Sequence, residues 1–150
     1  MIKSGIRLVV LAFALLFSVE ASADVIKMGN VDDVAKTFGG LGYIVEKKPD
    51  NSLSVKLATG TLTEVRVFEN GLQFRIAFAN PTSNPDVNSY NMTMRYLKVF
   101  VSPDGKVLVG DMDIYSAGGT IESTELAQQY KWFETMVFRF QDWVAKQSKK

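Results

Sequence analysis

From Thr120 to about Lys146 nothing in the sequence breaks a helix, and Leu126, Tyr130, Phe133, Val137, Phe140 and Val144 recur at spacings of four, three, four, three and four. That period keeps all of them on one face of an α-helix. A helix of this length with a single continuous apolar stripe needs a broad apolar surface to lie on. The rest of the chain supplies one with a different period. In "GLQFRIAFA" Leu72, Phe74, Ile76 and Phe78 point one way and Gln73, Arg75 and Ala77 the other. "SLSVKLA" alternates through Leu53, Val55 and Leu57. "VLVGDMDIY" sets Leu108, Met112 and Ile114 against Val107, Val109, Asp111, Asp113 and Tyr115. Period two with one apolar side is the pattern of a sheet covered on one face.

The remaining segments complete the order. Asn30 caps a short helix whose first turn holds Asp32 and Asp33, whose face carries Val31, Val34, Phe38 and Leu41, and which Gly39-Gly40 end. "YIVEK", "TLTEVRVF" and "LKVFVS" read as further strands, joined by turns at "KPDN", at Asn70-Gly71 and at "SPDGK". "NPTSNPD" is a loop, and "VNSYNMTMRYLK" a second short helix. The expected fold is α+β: a single antiparallel sheet with helices packed on one face and a long C-terminal helix.

Residues 1–23 read as an export signal: Lys3 and Arg7, then the ten apolar residues "LVVLAFALLF", then Ala21-Ser22-Ala23, with cleavage expected after Ala23. Ten helical residues reach about 15 Å, half of a bilayer core of about 30 Å. The expected product is a single periplasmic domain, residues 24–150, with no stable membrane anchor; a retained N-terminal anchor is the competing reading. The chain has neither cysteine nor histidine. Disulfides, a lipid anchor on an N-terminal cysteine, Ser-His and Cys-His nucleophiles and His/Cys zinc sites are therefore ruled out. No metal or cofactor is expected, and catalysis would have to rest on Asp, Glu, Lys, Tyr or Ser, so the expectation is not an enzyme. Without Lys3, Arg7 and Glu20 the 17 basic and 16 acidic side chains balance, which disfavours nucleic acid as a partner.

Several residue groups are candidates for more than packing. Asp111 and Asp113 project from the same sheet face about 7 Å apart, close enough for acid/base work or a hard cation, or for pairing with Arg75, Arg66 or Arg95. No loop has the dense Asp/Asn/Gly pattern that calcium requires, so pairing is preferred. Asn88, Asn91 and Arg95 stand at i, i+3 and i+7 of the second helix, suited to a carboxylate or phosphate or, preferably, to tying that helix to the next strand. Gly118-Gly119 reads as a turn, and Asn91-Met92-Thr93 matches a glycosylation acceptor. On the last helix Trp132, Met136 and Trp143 form a second apolar stripe, about 100° around from the first. It requires cover from the other helices, a second copy or a protein partner.

"LQFRIAF", the trio Asn88, Asn91 and Arg95, "VSPDGKVLVGDMDI", Gly118-Gly119 and the aromatic last helix together resemble the YbjN family, over roughly Val31 to Val144. That family is described as bacterial sensory-transduction regulators. The resemblance implies a fold like that of type III secretion chaperones, which bind proteins and are not enzymes; the export signal departs from many members. The function expected is an exported binding, regulatory or chaperone-like module acting by protein contact. The alternative is a periplasmic small-molecule or ion sensor using the Asp111/Asp113 face.

Overall fold

The computed structural model describes residues 24–82 and 85–147, so the export signal expected at residues 1–23 lies outside the described residues. Strands β2 (Ile44–Lys47), β3 (Ser52–Lys56), β4 (Leu62–Phe68), β5 (Gly71–Ala79), β6 (Lys98–Val101) and β7 (Val107–Tyr115) form one sheet in the order β2-β3-β4-β5-β7-β6, every neighbouring pair antiparallel. Helices α1 (Val31–Gly40) and α3 (Ser123–Gln147) cover one face. The architecture is α+β, with an antiparallel sheet and a long C-terminal helix.

The core is the meeting of the two periods seen in the sequence. Leu126, Tyr130, Phe133, Val137 and Phe140 of α3 are all buried against Leu53, Val55, Val65, Leu72, Phe74, Ile76, Leu108 and Met112 of the sheet. Tyr130 stands at the centre, with ring centroids 4.6 Å from Phe38 of α1, 5.0 Å from Phe74 and 5.7 Å from Phe133. Its hydroxyl lies 2.6 Å from Thr63 Oγ1, and the Thr63 hydroxyl donates to the Val55 carbonyl. The Thr63 proton is thus committed, so Tyr130 is the donor.

The structure corrects several boundaries. Thr120–Glu122 is not the first turn of α3 but a strand, β8, paired with β1 (Val25–Lys27) in a separate two-stranded sheet. Gly39 and Gly40 are the last two residues of α1, as the sequence suggests; Leu41 is the cap, and the left-handed residue that follows is Gly42 at φ 88°. The β4–β5 turn is Glu69-Asn70, because Phe68 pairs with Gly71. Gly71 is a glycine for another reason: a Cβ there would meet the Ile114 carbonyl oxygen of β7 at 2.7 Å. Helix α2 (Val87–Thr93) lies beside the edge strand β6 and packs Tyr90 onto Phe140 and Trp143 of α3.

The buried phenols generate a prediction. Tyr90 is 2% exposed and its hydroxyl is the one buried side-chain polar atom without a hydrogen-bond partner among the described residues. Tyr90→Phe is therefore expected to leave stability at neutral pH unchanged or raise it, whereas Tyr130→Phe loses about 1 kcal/mol. Burial pushes the phenols of Tyr43 and Tyr90 up to about 12 and that of Tyr130 up further. The unfolded chain ionises them near the ordinary value of 10.0, so the folded state holds the extra protons above that pH. Stability is full below pH 10, falls as pH rises from about 10 towards 12, and falls less steeply in Tyr90→Phe. Urea midpoints across that range check both statements.

Candidate functional site

The uncovered sheet face carries a row of side chains in register across all six strands: Glu46, Ser54, Glu64, Arg75, Asp111 and Lys98. Arg75 and Asp111 are direct cross-strand partners and form a two-pronged pair, Nε to Oδ1 and Nη2 to Oδ2, each 2.7 Å. Asp111 is only 7% exposed, and Arg75 also lies over the Phe100 ring at 5.9 Å. Of the three arginines offered by the sequence, Arg75 is the one that takes Asp111; Arg66 holds Glu64 at 2.9 Å. Asp113 accepts from Gln73 Nε2 at 2.8 Å, with Lys98 Nζ 4.0 Å away. The two aspartates share a face but not a partner. Among the described residues no three His, Cys, Asp or Glu side chains come together as an ion site would require.

Asn91 makes an uncommon contact. Its carboxamide nitrogen donates to the Val99 carbonyl and its oxygen accepts from the Val99 N–H, both at 2.8 Å. It pairs with β6 as a neighbouring strand would, on an edge that otherwise presents open backbone groups. The trio seen in the sequence does not form one helical face. Helix α2 ends at Thr93, Met94 is extended, and Arg95 falls in the bend beyond. Asn88 and Arg95 are both exposed.

The second stripe of α3 is divided. Trp143 packs on Tyr90 of α2 at 5.1 Å and on Phe140 at 6.0 Å, and Met136 is partly buried against the core. Trp132 is 48% exposed and leans on Tyr96, centroids 6.3 Å apart. Tyr96 is 68% exposed, and Met92, on α2, 87%. Tyr96 has φ 77°, a conformation that a bulky residue adopts only under constraint. Nothing in "MRYLK" signals that strain, because it arises where the chain turns from α2 into β6.

A groove of 560 Å³ lies on the uncovered sheet face beneath the β2–β3 turn. The small side chains of Ser52, Ser54 and Ala77 make its floor low, while Leu62, Glu64 and Pro49 stand along its sides. Arg75 borders it; Asp111 and Asp113 do not.

No family model and no curated protein matches the sequence. Among solved structures, the crystal structure of YbjN from E. coli matches with a TM-score of 0.60 at 14% identity, covering 75% of this chain and 88% of that one. The fold is YbjN-like. The resemblance read from the sequence motifs and the likeness of the backbones agree. At this identity the match shows the fold alone. YbjN itself is described as "a putative transcription regulator". In the YbjN-like fold of this chain, the Arg75–Asp111 pair and the Asn91 contact are explained by the sheet they stabilise, whereas Tyr96 and Trp132 are not.

Removing either member of a mostly buried pair leaves its partner's charge uncompensated. Asp111→Asn is expected to destabilise the protein by about 2 kcal/mol, and Asp113→Asn by less than about 0.5 kcal/mol, as exposed pairs do. Urea denaturation of the two variants gives the comparison; equal losses would contradict the assignment.

Proposed function

We propose that this protein is an exported, non-enzymatic binding module, regulatory or chaperone-like, that acts by contact with another protein through Met92, Tyr96, Trp132 and Met136. One observation carries the reading: a tyrosine is held at φ 77° and its ring, set beside a half-exposed tryptophan, gains little burial in return. Strain without packing reward is characteristic of sites kept for recognition. Trp, Tyr and Met are also the residues that concentrate energy at protein interfaces. The YbjN-like fold and the description of YbjN as a regulator support a regulatory role, and the signal pattern in residues 1–23 supports action in the periplasm.

Strain and recognition separate in Tyr96→Gly. Relief of the left-handed φ raises stability by about 1 kcal/mol, while loss of the ring weakens partner binding as Trp132→Ala does. Denaturation midpoints, together with pull-down by wild type and both variants, test this. A Tyr96→Gly protein that is less stable and binds normally would refute it. The mass of the product purified from cells expressing the full chain tests export, with Asp24 expected as the first residue.

The groove beside Arg75 favours a second reading, a small-molecule sensor, since its volume suits a metabolite-sized ligand. A periplasmic metabolite that binds there would raise the melting temperature of wild type, but not of Leu62→Arg. No such shift across a metabolite panel removes this reading.

A further inference from the structure

The uncovered sheet face holds a smaller recess that shares no residue with the groove beside Arg75. Phe68 on β4, Gly71 on β5 and Tyr115 on β7 stand in register across three neighbouring strands. Phe68 alternates with Glu64 and Arg66, and Tyr115 with Asp111 and Asp113, so both rings rise from the uncovered face. The glycine between them leaves a slot of 270 Å³ whose lining includes both rings and Asp113. Its floor is fixed twice over: the Ile114 carbonyl admits no Cβ at Gly71, and the Ser116 N–H donates to the Asn70 carbonyl at 3.1 Å. Phe68 is 51% and Tyr115 75% exposed, and neither pairs with another aromatic ring among the described residues.

The slot carries charge of one sign. Asp113 is the one lining side chain that is charged at neutral pH. Its Oδ1 accepts from Gln73, while Oδ2 has Lys98 Nζ at 4.0 Å, on a largely exposed side chain. Lys98 stands opposite Asp111, one row further from Tyr115. Arg66, opposite Gln73, is held by Glu64 at 2.9 Å and so is drawn away from the row of Phe68. Glu69 and Lys27 line a separate recess with Gly118 and Gly119.

We infer that this slot binds a quaternary ammonium group, held between the rings of Phe68 and Tyr115 with the Asp113 carboxylate beside it. Side chains stand roughly perpendicular to a sheet, so rings two strands apart are about 10 Å from each other and a cation midway lies about 5 Å from each. That is inside the distance of about 6 Å at which a ring face attracts a cation. A primary ammonium is compact and strongly hydrated, whereas methyl groups spread the charge and meet the rings as apolar surface. The slot is separate from the surface of Tyr96 and Trp132, and neither assignment depends on the other.

The test titrates choline, and its neutral isostere in which a tert-butyl group replaces the trimethylammonium, into isotope-labelled protein purified from cells expressing the full chain. Ionic strength is held constant, and the backbone amide shifts of Phe68, Gly71, Asp113 and Tyr115 are followed. Choline is expected to move these amides saturably, and the isostere to bind about tenfold more weakly. Phe68→Leu and Tyr115→Leu keep an apolar side chain without a ring face, and Asp113→Asn keeps the shape without the charge. Each variant, first shown to melt cooperatively, weakens choline several-fold and leaves the isostere unchanged. Phosphatidylcholine vesicles separate the two sources of the ligand. Vesicle binding that free choline displaces supports the site with a lipid headgroup in it, and choline binding without vesicle binding supports it with a free solute. No saturable shift with choline at these amides would overturn the assignment. So would an isostere that binds as tightly as choline, or choline affinity unchanged in all three variants.

Discussion

Tyr130 is the point at which the three layers of contact in this protein meet. It carries the α3 stripe to its deepest position, touches Phe38 of α1 and Phe74 of β5 edge-on, and donates to Thr63 on β4. Edge-to-face rings and a satisfied hydroxyl make the position specific in a way that a leucine could not be. With no disulfide available, orientation of the helices on the sheet has to come from such contacts. The whole aromatic group of Phe38, Tyr43, Phe74, Tyr130 and Phe133 follows from them.

A sheet covered on one face leaves two problems, its other face and its edges. The uncovered face is managed by charge. Arg75 and Asp111 neutralise each other in the middle of the sheet, Glu64 holds Arg66, and Asp113 has Gln73. The β6 edge is closed by a side chain, with Asn91 taking both backbone groups of Val99. Each of these polar groups has a partner in the fold, the two aspartates included.

The contrast with Tyr96 and Trp132 is instructive. Tyr130 is buried and has every partner it needs, whereas Tyr96 is strained, exposed and supported mainly by another exposed ring. Packing accounts for the first and not for the second. Tyr90 lies between these cases: its ring is fully used against Phe140 and Trp143, but its hydroxyl is not.

Periodicity made the sheet's apolar face, the α3 stripe and the α+β class legible in the sequence, because alternation and the four-three spacing are local consequences of backbone geometry. The Arg75–Asp111 pair was legible only as one choice among three arginines, since register decides which one stands opposite. Other features had no local signature at all. Gly71 looked like a turn residue and is a close-approach residue, because the carbonyl it must clear belongs to β7, far along the chain. The strand at Thr120–Glu122 extended a helical pattern in sequence and became a strand because β1 lies beside it. Arg95 left its expected helical face because α2 stops at Thr93 to enter β6. The sequence by itself determined which residues are apolar and with what period, and hence the layers. Tertiary structure alone decided which of Trp132, Met136 and Trp143 remains open, because that depends on where α2 docks, and docking is a contact between segments whose separation no local pattern records.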